Sequence, residues 1–423
     1  MVKLAIIADD LTGSLDTGIK FAKEGISTQI FLHRTISFDA IKMDTEVIVI
    51  DTETRHLTAR EAGKIVEKVV SDCMAHGIHN YYKKTDSALR GHIGSELAAL
   101  ARQTGQTVYF IPALPQEDRY TRKGIHYIRG LPVAESIFCK DPFNPVRHSR
   151  VSQIIREEED LNIKEWGNCL SDGFSPRTEI VVIDGRTEKD LEVIADYLER
   201  NNLLSITAGC AGFAPHLAGK MHLRRREPEL PEGSKKLIVL CGSINAVTGA
   251  QMDLAAREGF CRRTLSPEEK LKPDYLDLPE GKELLEELNR ICNDHDRIIF
   301  DVLCSEEEEA TRRLAESCHI SGEDVPRKIA DRIGEIFLHL IEWDPEAAIM
   351  IIGGDTFYAT VMQCPGIVLE PVYEPIDGTV FVKGITKDHN LSLLSKSGGF
   401  GEKDLLIKLS HIILEKGKEE GSK

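Results

Sequence analysis

Asp9 and Asp10 stand side by side where a short apolar run ends, in LAIIADDLTGSLDTG (4–18). Adjacent carboxylates there can accept a hydroxyl proton, hydrogen-bond a polyol or hold a cation. Thr12 follows, and the same residues equally suit a capped helix with Asp10 as N-cap. Arg55, in DTETRHL (51–57), can hold a carboxylate through two hydrogen bonds. Taken alone, an arginine there is equally an ordinary surface residue. The densest cluster is YYKKTDSALRGHIG (81–94), which brings together Lys83, Lys84, Thr85, Asp86, Ser87 and Arg90. Both charges beside hydroxyl groups suit a small hydroxylated anion. The plain alternative is a local Asp86–Arg90 ion pair at helical spacing. His76 and His79 have metal-like spacing but no third ligand, so no metal site is expected.

A second set is rich in glycine. CGSINAVTGAQM (241–252) follows an apolar run and opens a helix, so Ser243 and its backbone amides can face phosphate. GGDTFYATV (353–361) repeats the device with Gly353, Gly354, Asp355 and Thr356, Asp355 being available to a hydroxyl or Mg²⁺. SKSGGFGEKD (395–404) offers Lys396, Ser397, Gly398 and Gly399, a backbone nest beside a cation. None matches G-x-x-x-x-G-K-[ST] or G-x-G-x-x-G.

These turns need elements to carry them. LAIIA (4–8), TQIFL (28–32), EVIVID (46–51), NYYKK (80–84), TVYFIPA (107–113), EIVVID (179–184) and LLSITAG (203–209) have strand length. Helical spacing between them, as over 59–77 and 94–105, predicts parallel strands with crossover helices. In such sheets ligands bind beyond the carboxyl ends of strands, where the clusters lie. LRRREPELPEGSKK (223–236) reads as a linker. Strands over 236–243, 297–305 and 347–356 and an amphipathic helix over 402–417 follow, while 265–290 reads as a charged, solvated, helix-rich surface. The expectation for 423 residues is two α/β domains, 1–225 and 235–423. Each is a Rossmann-like three-layer unit with a mostly parallel sheet, and the active site lies in the cleft between them.

Composition narrows the partners. Hydrophobic residues at 41% and charged residues at 29% describe an ordinary globular chain. The net charge of −16 argues against nucleic acid and requires a local basic pocket for any anionic substrate. No apolar run approaches the roughly 20 residues of a membrane span. The run before Asp9 is too short for a secretory leader, so a cytoplasmic protein is expected. Its 10 cysteines form no C-x-x-C pair and read as reduced thiols. The chain is compatible with a homo-oligomer, which its sequence does not define.

Taken in order, these motifs resemble the four-carbon acid sugar kinase family. ADDLTGSLDTG (8–18), KKTDSALRGHIG (83–94) and SKSGGFG (395–401) carry the resemblance most specifically. DTETRHL (51–57), IPALP (111–115), GIHYIRGLPVAES (124–136), DPFNPVRHS (141–149), AGCAGFAPHLA (208–218), CGSINAVTGAQ (241–251) and GGDT (353–356) follow in family order. The resemblance implies a first domain that holds a sugar acid through Asp10, Arg55 and the Lys83–Ser87 turn. It implies a second that holds ATP through Ser243, the Gly353–Thr356 turn and Gly398–Gly399. The chain departs from the pattern at 116–124, where Asp118 precedes Arg119 in place of a glycine.

The mechanism so implied is phosphoryl transfer from ATP with Mg²⁺ to the terminal hydroxyl of a threonate, erythronate or 3-oxo-tetronate type of acid. Arg55 and Lys83 or Lys84 would hold the carboxylate, Asp86 rather than Asp10 would act as the base, and Lys396 would sit near the phosphates. Two rivals are an NAD-dependent hydroxy-acid dehydrogenase, which lacks its G-x-G-x-x-G signature here, and a non-catalytic sugar-acid sensor.

Overall fold

The computed structural model describes residues 2–32, 36–141, 143–167, 179–227, 233–303, 308–322 and 324–415. The chain divides into two compact units, Met1–Pro228 and Glu229–Lys423.

In the first unit the strands are β1 (Leu4–Ala8), β2 (Thr28–Phe31), β3 (Val47–Asp51), β4 (Tyr81–Lys84), β5 (Val108–Ile111), β6 (Arg119–Arg122), β7 (Ile125–Ile128), β8 (Leu131–Pro132), β9 (Ile163–Trp166), β10 (Ile180–Ile183) and β11 (Ile206–Gly209). All but β6–β8 run in the order β2-β3-β1-β4-β11-β5-β10-β9, every pairing parallel. The inner strands are buried at every residue, which is why they read as unbroken apolar runs rather than alternating ones. Helices α1 (Leu11–Ala22), α2 (Ala59–Ala75), α3 (Ile93–Thr104), α4 (Val151–Arg156), α5 (Glu188–Arg200) and α6 (Ala214–Lys220) lie between strands or close the unit. α2 begins at a Thr58–Glu61 capping box and buries Val66, Val69, Val70 and Cys73 along one face.

Two features were not legible beforehand. β9 is a polar edge strand, and β6–β8 form a small antiparallel sheet instead of a loop. Arg224 pairs with Glu46, Arg225 with Glu24 and Arg226 with Asp44, so the first part of the expected linker is docked on its own unit. Residues 228–232 of that linker lie outside the described residues.

The second unit contains β12 (Leu237–Cys241), β13 (Cys261–Thr264), β14 (Arg297–Asp301), β15 (Ala348–Ile352), β16 (Val368–Tyr373), β17 (Thr379–Ile385) and β18 (Asn390–Lys396). Their order is β13-β14-β12-β15-β18-β17-β16, parallel as far as β18 and antiparallel beyond it. Its helices are α7 (Ala246–Arg257), α8 (Pro267–Leu271), α9 (Pro279–Asp294), α10 (Glu308–Ser317), α11 (Val325–Trp343), α12 (Gly354–Met362) and α13 (Leu405–Glu415). Val239, Met252, Ile299, Met350, Leu394 and Leu409 share one core. The sequence CRRT makes a strand because Arg262 is neutralised by the buried Asp301 at 2.7 Å and Arg263 by Glu269 at 2.7 Å. The same pairing corrects the solvated reading of 265–290, since Glu269, Lys270 and Leu271 on α8 are buried.

Among the described residues no helix is long and apolar enough to cross a membrane. Eight described cysteines carry free thiols; Cys169 and Cys304 lie outside the described residues. His76 stacks on Phe38 at 3.5 Å, and no group of His, Cys, Asp and Glu able to hold a metal occurs among the described residues.

Candidate active site

Register sets the first cluster. Ala8 pairs with Asp51 on one side and with Lys84 on the other, so the turns after β1, β3 and β4 open at one level of the sheet. Arg55 lies at their centre. Its Nε and Nη2 donate to Asp9 Oδ2 at 3.2 and 3.0 Å, while Nη1 lies 3.0 Å from Asp10 Oδ2. Asp86 Oδ1 is 3.6 Å from Nη2. The guanidinium expected to await a substrate carboxylate is thus already surrounded by three carboxylates of the protein.

Asp86 organises the turn that follows β4. Its Oδ2 accepts from the backbone amides of Ala88 (3.0 Å) and Arg90 (3.2 Å) and from Arg90 Nε (3.0 Å). Its Oδ1 accepts from Arg90 Nη2 at 2.9 Å, and Arg90 Nη1 continues to Asp141 at 3.0 Å. Burial raises the Asp86 pKa, but the Arg90 hydrogen bonds and the charges of Arg55, Arg90 and Lys84 outweigh it and hold the carboxyl far below its ordinary value.

The two neighbouring lysines face opposite ways, as successive strand residues must. Lys83 Nζ is wholly buried 2.9 Å from Glu96, and Glu96 also accepts from Thr54 Oγ1 at 2.5 Å. Its charge is spent inside the unit. Lys84 points toward the carboxylates, and among the described residues none stands within ion-pair distance of it. A Cβ at Gly13 would lie 2.5 Å from Lys84 Nζ and 2.6 Å from Asp10 Oδ1, so a side chain there would displace the ammonium or the Asp10 cap. Burial disfavours the charge on Lys84, yet Asp9, Asp10 and Asp86 raise its pKa overall.

Asp10 caps α1 by accepting from the Gly13 amide at 2.8 Å, and at 23% side-chain exposure it is more open than Asp9 (3%) or Asp86 (9%). Thr12 is half-buried in the first turn of α1, and Thr85 is buried with no hydrogen-bond partner for its hydroxyl. Ser87 Oγ accepts from Arg119 Nη1. Sequence reasoning did not single out Arg119 or Asp51. Burial, Glu53 and Asp10 push the Asp51 carboxyl well above its ordinary value. Asp118 shows what the departure at 116–124 means. Its φ of 51° is the left-handed conformation that glycine adopts freely and aspartate tolerates, so the turn into β6 is kept and Arg119 still reaches Ser87.

The second unit gathers its glycine turns at the ends of β12, β15 and β18, which are adjacent in the sheet. A Cβ at Gly242 would meet Thr356 Oγ1 at 2.4 Å, and one at Gly398 would meet Ser243 Oγ at 2.4 Å. Gly399 lies close to Asn245, whose side chain caps α7. Gly353 holds φ 110° at the start of α12, whose first turn has no side-chain cap and includes Gly354 and Asp355. The turns after β12, β15 and β18 thus meet at the starts of α7 and α12, which makes them a candidate phosphate cradle. Lys396 lies beneath this cradle, donating to the carbonyls of Ser397 (2.9 Å) and Gly398 (3.4 Å). Burial pulls its pKa down to about 8.

Residues 4–217 match the family model described as a sugar-binding N-terminal domain, and residues 238–406 match one described as a nucleotide-binding C-terminal domain. The chain belongs to the four-carbon sugar-acid kinase family. Within that family, a D-threonate kinase of Salmonella typhimurium is 27% identical over 430 residues, covering 98% of this chain and 99% of the relative. A D-erythronate kinase of Heliobacterium modesticaldum is 24% identical over 443 residues, covering 99% of each. A crystal structure of a Haemophilus influenzae protein shares the fold, with a TM-score of 0.78 at 18% identity over 97% of this chain and 100% of that one. The family's two domain models thus fall on the two units that carry the two clusters.

Gly353 provides a direct check on the cradle. A valine there would be forced into a backbone conformation costing about 1–3 kcal/mol, and its Cβ would lie 3.1 Å from Thr356 Oγ1. Gly353→Val is expected to lose the thermal shift produced by ADP while keeping that produced by a sugar acid. Retained ADP stabilisation would place the phosphates elsewhere.

Proposed function

We propose that this chain is an ATP-dependent kinase that phosphorylates the terminal hydroxyl of a four-carbon sugar acid. What carries the reading is one observation: a single chain of this family has a strand-end cluster of mixed charge in one unit and converging strand-end glycine turns in the other. The first suits a short hydroxylated anion, and the second suits a polyphosphate.

Phosphoryl transfer depends on positioning and on neutralising charge as it develops. We infer that Asp10 orients the hydroxyl and takes its proton, the reverse of the order expected from sequence. Asp10, with one partner on each oxygen and 23% side-chain exposure, is the more open carboxylate, whereas Asp86 is engaged by four donors. Asp86 instead holds Arg90 and the turn in place. Lys84 is the uncommitted ammonium beside Asp10 and offsets charge on the transferring group. Ser243, Gly353–Thr356 and Gly398–Gly399 hold the nucleotide, with Lys396 and Ser397 supporting the last turn. Mg²⁺ fits this set as an ion carried mainly by the nucleotide phosphates, with Asp355 as the nearby protein carboxylate. It supplies charge neutralisation. Because acid and nucleotide are assigned to different units, transfer requires the units to bring the two ligands together, the role of the cleft expected from sequence. A cytoplasmic setting, where ATP is abundant and thiols stay reduced, belongs to the same reading.

The test is ADP release, coupled to a detector, across four-carbon sugar acids of both hands. ADP production dependent on one of them is expected. Turnover with NAD in place of ATP would favour the dehydrogenase, and tight acid binding without ADP release would favour the sensor.

Lys396 adds a proton-linked expectation. Its folded pKa lies below the ordinary lysine value, and a nearby phosphate would raise it again. At pH near or above about 8, ADP binding should therefore take up a proton, read by calorimetry in buffers of different ionisation enthalpy. Lys396→Met should abolish the uptake. Uptake that persists in Lys396→Met would trace it to another group.

A further inference from the structure

We propose that Arg119 holds the substrate carboxylate and so selects an acid over a neutral polyol. The inference rests on the sugar-acid kinase reading above and names a recognition residue for that site. It comes first by elimination. Of the cations around the strand ends, Arg55 is surrounded by Asp9, Asp10 and Asp86, Arg90 is divided between Asp86 and Asp141, and Lys83 is sealed against Glu96. Lys84, which also lacks a carboxylate within ion-pair distance among the described residues, lies in the field of Asp9, Asp10 and Asp86 and is assigned above to the transferring group. Arg119 has no carboxylate within ion-pair distance among the described residues.

Its surroundings are built to keep it that way. Nη1 donates to Ser87 Oγ, and the guanidinium carbon lies 5.6 Å over the Phe138 ring, whose face also carries Arg90 at 5.1 Å. Arg119 Nε is buried without an acceptor, and Nη2 donates to no described protein group. A half-buried guanidinium with an unmet donor and no counter-charge is costly unless an anion arrives. Its two terminal nitrogens match the two oxygens of a carboxylate. His126, fully buried, fixes the approach. Its ring nitrogens lie 3.0 Å from Thr121 Oγ1 on β6 and 2.9 Å from the Ser87 carbonyl, tying the small sheet to the turn.

Placement suits a short chain. Arg55 links Asp10, on the β1 side, to Asp86, while Arg119 reaches the Asp86 turn from β6, which follows β5 on the other side of β4. An acid lying across the turn would present its carboxylate to Arg119 and its far hydroxyl to Asp10.

The test measures binding of D-threonate and of threitol, its uncharged polyol counterpart, together with turnover, in the full chain. Arg119→Met should weaken D-threonate binding on the order of 10²-fold, the effect of truncating one partner of a hydrogen-bonded charge pair. Threitol and ADP binding should stay at wild-type levels, so that the preference for the acid collapses. Arg119→Gln keeps size and hydrogen bonding without charge, and should show the same collapse if Arg119→Met fails to fold. Wild-type D-threonate affinity in Arg119→Gln overturns the inference. A wild-type protein that binds four-carbon sugar acids but phosphorylates none of them sinks the kinase reading while the Arg119 comparison still stands. One that binds no four-carbon acid overturns both.

Discussion

Asp10→Asn is expected to lower kcat by about 10²–10⁴-fold, with KM moving only a few-fold. Asparagine is as good an N-cap as aspartate, so α1 keeps its first turn. Arg55 keeps Asp9 at 3.0 Å and Asp86 at 3.6 Å as counter-charges, so the cluster is not left with an unpaired guanidinium. What disappears is the most open of the three carboxylates, the one placed to receive the hydroxyl proton. Asp86→Asn should behave differently. It removes the charge and one of the two acceptor oxygens around which the 85–90 turn is folded, so it should raise KM and lower thermal stability. If Asp86→Asn instead cuts kcat alone and Asp10→Asn leaves it unchanged, the roles revert to the order first expected from sequence.

Lys83→Met should destabilise the protein by about 3–5 kcal/mol, because it leaves Glu96 buried without its counter-charge. The pair is 0% and 1% exposed, so water cannot compensate. Lys83→Met with Glu96→Gln should recover most of the loss, since glutamine still accepts from Thr54. The pH dependence has a definite sign. Burial, opposed by Lys83 and reinforced by Asp9, raises the Glu96 pKa, so the native state holds that proton at higher pH than the unfolded chain does. The corresponding stability is fully present below the unfolded carboxyl range and is lost as pH rises through the folded value. Removing Lys83 raises that folded value further. The deficit of Lys83→Met, read from urea midpoints, should therefore narrow as pH falls from neutral toward the carboxyl range. A deficit independent of pH, or one not repaired by Glu96→Gln, would remove Glu96 as its cause.

The contrast between Lys83 and Lys84 shows where sequence stops being informative. Both sit at the end of an apolar run, and the strand end itself was legible because β1, β3 and β4 are buried on both faces. Which lysine faces the ligand depends on the pleat and on what packs behind it, and Glu96 and Thr54 are distant in sequence. Arg55 has the same limitation. Its position after β3 was readable, whereas its three carboxylate neighbours come from other strands. The glycine turns were readable one by one, yet their convergence depends on β12, β15 and β18 being neighbours in the sheet. The β6–β8 sheet, with Arg119, was obscured by short strands carrying polar residues, and β13 by an arginine pair that is apolar only after Asp301 and Glu269 neutralise it.

The most direct test of the central claim is the phosphorus NMR spectrum of the four-carbon sugar acid that best supports ADP release, incubated with ATP, Mg²⁺ and the enzyme. The account predicts ADP and, in equal amount, a phosphate monoester whose signal is split into a triplet by the two protons of a terminal CH₂. Inorganic phosphate alone, or a doublet from a secondary alcohol ester, would contradict it.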